Sequence, residues 1–296
     1  MSHTKNLELL IKSLRIHQWS KNLLIFAPAV LGSGFNLSLY EIQTLCKVYI
    51  SFSLVVSSSY IVNDLTDIDY DKKHPKKKFR PIATGLISNN VWRIYSFLLF
   101  FLGNIVLIST NQVLIIFSIT YFLISTSYTL KLKYLKYFDM LSVSILFLIR
   151  LTIGSESVDV SISNELYIFV FFTSLGILLG KKYSILNNVD IKFTKFKKVL
   201  SINYKSTELV KLMYFSFICS SLTYLHWIVN IKYQNIQNYQ FFSLLFSFVL
   251  ISFFYIIFIN ETKKNMTEDI FLFIKENKVL VIVVPLFIFS SILGVL

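Results

Sequence analysis

The sequence predicts an all-α protein, a polytopic membrane helix bundle of about nine transmembrane helices. Three observations predict this fold: apolar stretches of spanning length recur along the chain, basic residues gather in alternate connections, and strand-like alternation is absent. The 296 residues are 55% hydrophobic and 15% charged, with a mean hydropathy of +0.64. Such a composition is typical of polytopic membrane proteins. We therefore expect one integral membrane domain over residues 1–296.

Each apolar stretch approaches the roughly 20 residues that a helix needs to cross a bilayer core of about 30 Å. The predicted spans cover approximately residues 23–40, 46–62, 91–110, 113–130, 138–154, 166–179, 212–229, 241–259 and 279–296. Pro28 and a Gly-Ser-Gly turn that begins at Gly32 interrupt the first of them. A membrane β-barrel would require alternating segments of about 10 residues, and the sequence contains none.

The distribution of positive charge predicts the orientation of the bundle. Lysine and arginine gather before the first span and in every second connection, while Lys47 and Lys232 stand almost alone in the others. This alternation is the positive-inside pattern. It predicts a cytoplasmic N-terminus, cytoplasmic basic connections and an external C-terminus in the plasma (inner) membrane. These connections account for the net charge of +13, so we expect contact with membrane lipids and no binding of nucleic acid.

A stretch rich in both charges, “NDLTDIDYDKKHPKKKFRPIATG”, follows the second span at residues 63–85. If the preceding helix continues, Asp64, Asp67 and Asp71 share one face because they lie three and four residues apart. Asp69 then points elsewhere. Stacked carboxylates repel each other and need a cation between them. Magnesium typically binds one or two carboxylates together with substrate phosphates, so the stripe predicts a Mg²⁺–diphosphate site at the membrane edge.

The basic half of the stretch supplies the opposite charge. Pro75 is expected to end the helix, and His74 is interpreted as a helix-end residue rather than a ligand. We expect Arg80 to bind phosphate oxygens, since a guanidinium binds them in bidentate fashion. The alternative is an acidic patch that simply pairs with the neighbouring lysines of a solvated loop.

Arg150 lies inside a predicted span, where an arginine costs at least about 2.5 kcal/mol on insertion scales. Such residues usually face a cavity or a partner. The sequence favours a phosphate-facing position for Arg150, and the alternative is that it snorkels to the membrane surface or pairs with Asp139 or Glu156. Tyr128 is a weaker candidate, because ordinary packing of the bundle accounts for most of the 17 tyrosines.

The stretch at 63–85 resembles the first aspartate-rich signature, N-D-x-x-D-x-x-x-D, of the UbiA superfamily of intramembrane prenyltransferases. Its extension H-P-x-K-x-x-R-P-I-A-x-G is similar to the decaprenyl-phosphate phosphoribosyltransferase branch. Four further motifs follow the order of that branch: “RIHQWSKN” at 15–22, “YTLKLK” at 128–133, “LIRLTIG” at 148–154 and “SLGILLGKK” at 174–182.

The resemblance implies a cytoplasm-facing site that transfers 5-phosphoribosyl from 5-phosphoribosyl 1-diphosphate to a polyprenyl phosphate. Mg²⁺ held by Asp64, Asp67 and Asp71 would polarise the departing diphosphate. The other roles that it implies are diphosphate neutralisation by Lys77, Arg80 and Lys133, orientation of a carboxylate or the sugar by Asn63, phosphate binding by Lys21, Lys181 and Lys182, and substrate contacts by Tyr128 and Arg150.

Three other functions compete with this interpretation. A prenyltransferase that moves an isoprenyl group from its diphosphate to an aromatic or lipid acceptor would use the same stripe. Aromatic-acceptor members carry a second D-x-x-x-D motif, whereas Asp190 stands alone in the corresponding region. A secondary transporter would place polar groups near the midplane, but the charges here lie at one edge. A scaffold that binds anionic lipid would leave the aspartate stripe unexplained.

Overall fold

The regular elements of the computed structural model are all helical within residues 3–32, 37–73, 77–187, 195–232, 237–262 and 270–295, which are the residues it describes. The α-helices are α1 (His3–Ser13), α2 (Ala27–Gly32), α3 (Leu39–Thr66), α4 (Ile68–Lys73), α5 (Asn89–Ile108), α6 (Val113–Leu130), α7 (Phe138–Val158), α8 (Asn164–Asn187), α9 (Lys195–Asn203), α10 (Ser206–Lys232), α11 (Asn238–Thr262), α12 (Ile270–Glu276) and α13 (Leu280–Leu293). Short 3₁₀ segments occupy Ile16–Phe26, Lys77–Phe79 and Leu132–Tyr134.

The helices confirm the predicted membrane bundle. In the described part of the chain, seven of them (α3, α5, α6, α7, α8, α10 and α11) are long and apolar enough to cross a bilayer. The expected count of nine is not confirmed. A 3₁₀ segment and α2 divide the first predicted span, and the last one contains α13, which has 14 residues. The chain is therefore a multi-pass membrane protein, with seven clear candidate spans among its described residues.

Contacts between residues divide the chain into two compact units. The first comprises Met1–Lys133 with Ile149–Ser161, and the second comprises Tyr134–Leu148 with Ile162–Leu296. The expected single domain stays a prediction, and the two units are described separately below.

Helix α3 is the central element of the first unit, where it packs against α5, α6 and the 3₁₀ segment Ile16–Phe26. It begins at a capping box. The Glu41 backbone N–H donates to Ser38 Oγ at 3.2 Å, and the Ser38 N–H donates to the Glu41 carboxylate at 2.7 Å. These bonds satisfy two backbone donors that a helix start leaves open. A cluster that includes Ile61, Ile82 and Trp92 packs at the opposite end.

Ser57 on α3 forms hydrogen bonds with the start of the segment between α1 and α2. Ser57 Oγ donates to the Leu14 carbonyl at 2.8 Å and lies 3.0 Å from the Trp19 indole nitrogen, which donates to it. Arg15 adopts a left-handed backbone conformation with φ 51°, an uncommon one for an arginine. The turn at Arg15 and the bonds to Ser57 together bring the arginine to the end of α3.

The second unit is built on α8, α10, α11 and α13. Helix α10 packs against α8 and α11, and α11 packs against α13. Phe217 stacks on Tyr255 with ring centroids 4.2 Å apart. The Tyr255 hydroxyl lies 2.7 Å from both Thr173 Oγ1 and Ser220 Oγ. These hydroxyls satisfy one another inside an otherwise apolar core, as buried polar groups require.

Gly103 sets the approach of α5 to α3. A Cβ at this position would lie 2.6 Å from the Ser51 carbonyl oxygen and 2.8 Å from Val55 Cγ2. We expect Gly103→Ala to lower Tm in detergent, because overpacking costs about 1–3 kcal/mol and exceeds the helix-propensity gain of about 1 kcal/mol. Leu102→Ala, which removes atoms from a half-exposed neighbour, is the control and should have the smaller effect. A Gly103→Ala variant that melts at or above the wild-type temperature would contradict this close contact.

Candidate functional site

The acidic stretch follows α3 almost as a continuous helix, with one irregularity at Asp67. The Asp67 N–H donates to the Asn63 carbonyl at 3.0 Å, and the Asp71 N–H donates to the Asp67 carbonyl at 2.8 Å. Between these two helical bonds, Asp67 itself has φ −98° and ψ 13° and ends α3. Asp69 is exposed, as the sequence predicts. The three other carboxylates are therefore presented on nearly, but not fully, one face.

Asp64 and Asp71 are joined by one arginine. Arg80 Nη1 donates to Asp64 Oδ1 at 3.0 Å and to Asp71 Oδ2 at 2.6 Å. Both carboxylates are buried, with 4% and 1% of their residue surface accessible. A single guanidinium nitrogen thus lies between two carboxylates that would otherwise repel each other in a poorly solvated position.

Arg15 provides a second cation for Asp64. Its Nη2 lies 2.5 Å from both carboxylate oxygens, and its guanidinium also lies over the Tyr60 ring, 5.4 Å from the centroid. Buried carboxylates with charged donors on both sides form strong hydrogen bonds. Arg15 is therefore a member of the site that the sequence analysis did not identify.

Asp71 retains one open coordination position. Among the described residues its Oδ1 atom is buried and has no hydrogen-bond partner. Burial raises the pKa of the Asp71 carboxyl above its usual value, and the Arg80 guanidinium opposes the rise. Because buried polar atoms are normally satisfied, the open oxygen indicates a ligand position next to Arg80.

Asp67 has a partner of its own. Lys133 Nζ donates to the two Asp67 oxygens at 2.7 and 3.1 Å. Next to it, Thr129 Oγ1 donates to Asn63 Oδ1 at 3.1 Å. The end of α6 and the 3₁₀ turn after it thus bring Lys133 and Thr129 to the last turn of α3. The roles predicted for Asn63 and Lys133 toward the substrate stay predictions.

The donor set fits a magnesium ion that is completed by substrate oxygens. In the described residues no group of three or more His, Cys, Asp and Glu side chains is arranged to hold a metal ion by itself. Two carboxylates share a cation position, however, and one of their oxygens is open. Mg²⁺ commonly binds one or two carboxylates and fills its shell with water and phosphate. Asp64 and Asp71 match that requirement, and the third ligand, Asp67, stays a prediction.

The remaining predicted residues of the first unit lie at different distances from this cluster. Lys77 stacks over the Tyr70 ring with its Nζ 5.3 Å from the centroid, and its charge acts on Asp71. Tyr128, on α6, lies within electrostatic range of Asp67. Lys21 lies on the 3₁₀ segment with a partly buried side chain. Their contacts with substrate stay predictions.

Arg150 is buried, and two of its hydrogen-bond partners are the neutral side chains of Asn22 and Tyr121. Its Nε donates to Asn22 Oδ1 at 2.8 Å and its Nη2 donates to the Tyr121 hydroxyl at 2.9 Å. Gly154, one turn further along α7, permits this arrangement, because a Cβ there would overlap the Ile25 carbonyl. The helix therefore approaches the 3₁₀ segment closely enough for Arg150 to reach Asn22. Its predicted contact with phosphate is untested.

Lys181 and Lys182 belong to the second unit. Lys181 is exposed, whereas Lys182 is buried and pairs with the Asp139 carboxylate. Tyr204 completes the group, because its hydroxyl donates to Asp139 Oδ1 at 2.9 Å and its ring lies under the Lys182 ammonium. Lys182 thus has an internal partner, and its predicted role in phosphate binding stays a prediction.

Three residues discussed in the sequence analysis, His74, Pro75 and Asp190, lie outside the described residues. Of the residues that the sequence analysis missed, Arg15 had a usable signal, since it opens the motif at 15–22. Tyr121 had none, because nothing local distinguishes it from the other tyrosines.

Comparisons with known proteins agree with the fold and the motifs. The model of the UbiA prenyltransferase family matches residues 23–276. Decaprenyl-phosphate phosphoribosyltransferase of Mycolicibacterium smegmatis is 33% identical over 206 residues, which cover 68% of this chain and 64% of that protein. The protein of the same name from Mycobacterium tuberculosis is 29% identical, with 67% of each chain covered. The chain therefore matches about two thirds of the length of these relatives.

Solved structures share the fold at low sequence identity. A digeranylgeranylglyceryl phosphate synthase structure has a TM-score of 0.70 and 17% identity, covering 98% of this chain and 99% of that one. A UbiA homolog from Archaeoglobus fulgidus bound to GPP and Mg²⁺ has a TM-score of 0.70 and 15% identity, covering 97% and 98% of the two chains.

The pair of Lys182 and Asp139 generates a prediction about stability. Lys182→Met leaves a carboxylate buried without its cation, and breaking such a pair costs about 3–5 kcal/mol. We expect a clear loss of Tm in detergent. Adding Asp139→Asn should restore part of it, because the amide still accepts from Tyr204 and carries no charge. Lys181→Met, at the exposed neighbouring position, is the matched control. Equal melting of all three variants would contradict the buried ion pair.

Proposed function

Because the chain belongs to the UbiA prenyltransferase family, we propose that it is a Mg²⁺-dependent polyprenyl-phosphate phosphoribosyltransferase. It would transfer 5-phosphoribosyl from 5-phosphoribosyl 1-diphosphate to a polyprenyl phosphate and release diphosphate. The observation that carries the proposal is the cation shared by Asp64 and Asp71 beside an open carboxylate oxygen. The names of the relatives at 29–33% identity support the choice of phosphoribosyl as the transferred group.

The chemistry suits a site without a general base. In the proposed reaction the bond from ribose C1 to the diphosphate oxygen breaks, and an oxygen of the acceptor phosphate forms the new bond to C1. That phosphate is already anionic at neutral pH, so no proton has to be removed from it. The site therefore acts through positioning and charge stabilisation.

The residues of the first unit divide this work. Asp64 and Asp71 would hold Mg²⁺, with Asp67 as a further ligand. Bound Mg²⁺ supplies neutralisation of charge on the departing diphosphate. Arg80 forms an ion pair with Asp64, and Lys133 forms one with Asp67. Both cations would therefore lie near a diphosphate bound to the metal. Charge-assisted hydrogen bonds from these side chains would grow stronger as the leaving group gains charge.

The remaining parts of the proposal concern the sugar, the lipid and the orientation. Asn63 would orient a carboxylate or bind the sugar, and Lys77 would add charge near the diphosphate. Lys21 and Lys181 would bind the 5-phosphate or the acceptor phosphate. The apolar helix faces would take the isoprenoid chain, at about 0.8 kcal/mol per buried methylene. The positive-inside pattern supports an active site and N-terminus in the cytoplasm.

Transfer of an isoprenyl group is the second candidate, since a structural neighbour with this fold is bound to GPP and Mg²⁺. One assay separates the two functions. Purified protein with Mg²⁺ is incubated with labelled 5-phosphoribosyl 1-diphosphate and polyprenyl phosphate, and in parallel with prenyl diphosphates and aromatic acids. We expect labelled lipid product in the first reaction. Product in the second reaction alone would refute phosphoribosyl transfer.

Asp67→Asn provides a test of the carboxylates. We expect turnover to fall by at least about 100-fold, because the amide carries no charge for the metal and weakens the contact with Lys133. Membrane insertion should not change. Asp69→Asn is the matched control, since Asp69 is exposed on the same short stretch, and it should retain activity. Retained turnover in Asp67→Asn would exclude a metal role for Asp67.

A further inference from the structure

Arg80 occupies a position that a divalent cation would also occupy. One nitrogen, Nη1, donates to an oxygen of Asp64 and to an oxygen of Asp71, at 3.0 and 2.6 Å. Both oxygens belong to buried carboxylates. A metal ion that bridged these two residues would need the same space between them, so Arg80 and the metal compete for one position.

One oxygen of Asp71 accepts no hydrogen bond while Arg80 bridges the two carboxylates. Asp71 Oδ1 is buried and has no hydrogen-bond partner among the described residues. Arg80 thus donates to only one of the two carboxylate oxygens, although a buried acceptor without a hydrogen bond costs free energy. A metal ion in place of the guanidinium could use this oxygen as well.

Arg15 and Arg80 differ in how firmly they are held. The Arg15 side chain has 13% of its surface accessible, contacts both oxygens of Asp64 and lies over the Tyr60 ring. The Arg80 side chain has 26% accessible and projects from the short turn after Lys77–Phe79. Arg80 is the cation that can leave at lower cost, whereas Arg15 can keep Asp64 oriented.

We propose that Arg80 is an exchangeable internal counter-ion of the Asp64–Asp71 pair, and that it moves from the carboxylates to the donor's diphosphate when a divalent cation takes its place. The inference rests on the proposed function, which supplies the diphosphate. The consequence is that metal binding and diphosphate binding are coupled. A metal that binds alone displaces Arg80 and leaves the guanidinium without an anionic partner. When diphosphate binds as well, Arg80 gains a new anionic partner. By reciprocity, each ligand strengthens the binding of the other.

The test is equilibrium dialysis of Mn²⁺, a probe for Mg²⁺, against the full-length protein in lipid nanodiscs. Inorganic diphosphate is present on both sides or on neither, so that complexes formed in solution are matched. In wild type, diphosphate should tighten Mn²⁺ binding. In Arg80→Gln, Mn²⁺ alone should bind about tenfold more tightly, the order expected when a charge-assisted contact no longer competes. The additional tightening by diphosphate should shrink by the same factor.

Two arginine variants serve as controls. Arg15→Gln should change the affinity for Mn²⁺ itself, because Arg15 orients Asp64, but it should retain the factor by which diphosphate tightens that binding, because Arg15 does not exchange. Arg93→Gln, whose side chain contacts Asn90 on α5, should match wild type in both conditions. The proposal is overturned if Arg80→Gln binds Mn²⁺ no more tightly than wild type, or if Arg15→Gln loses as much coupling as Arg80→Gln.

Arg80→Lys keeps the inference testable if the glutamine variant does not fold. A lysine retains the positive charge but presents it as a compact point charge on a shorter side chain, so Mn²⁺ affinity should rise in the same direction by a smaller factor. Unchanged affinity in a folded Arg80→Lys protein would contradict exchange. The dialysis contains no phosphoribosyl donor and no lipid phosphate. If the dialysis shows the expected coupling but the transferase assay gives no labelled lipid, phosphoribosyl transfer is refuted and the exchange of Arg80 is not. If labelled lipid forms but the Arg80 variants bind Mn²⁺ as wild type does, the exchange is refuted and phosphoribosyl transfer is not.

Discussion

The dominant constraint on this protein is the placement of three carboxylates at the end of an apolar helix. Asp64 and Asp71 are nearly inaccessible to solvent, and charges in that position require compensation close by. The compensation comes from three separate places in the chain: Arg15 before the first 3₁₀ segment, Arg80 in the turn after α4, and Lys133 after α6. The left-handed turn at Arg15 and the hydrogen bonds to Ser57 contribute to this compensation, because they bring that arginine to Asp64.

The local features of the fold could be predicted because they depend on short-range patterns. Apolar stretches of spanning length identified seven helices that the structure confirms as candidate spans, and helical spacing placed the aspartates near one another. The two further spans that the same reasoning predicts at the ends of the chain are not confirmed. Hydropathy does not distinguish a 3₁₀ segment followed by the short helix α2 from one long helix, and it does not show that α13 has 14 residues.

Partners that lie far apart in sequence could not be predicted. Arg15 and Asp64 are 49 residues apart, and nothing near either of them indicates the pair. Lys182 illustrates the same limit, because nothing near it in the sequence indicates its contacts with Asp139 and Tyr204. Arg150 could be singled out from its position inside an apolar span, but its hydrogen bonds to Asn22 and Tyr121 depend on the close approach at Gly154 and could not be predicted.

Charge balance is the physical reason why the proposed site would favour a metal and a polyanion together. Three aspartates and three cations form a cluster of nearly balanced charge in a poorly solvated place. A divalent cation alone would add uncompensated positive charge, and a diphosphate alone would confront the carboxylates. Brought together, their charges largely cancel, and the displaced arginine acquires a new anionic partner. In a low-dielectric environment, where unbalanced charge is expensive, joint binding would therefore cost less than binding of either ligand alone, and under the proposed exchange the first ligand would rearrange the cations for the second.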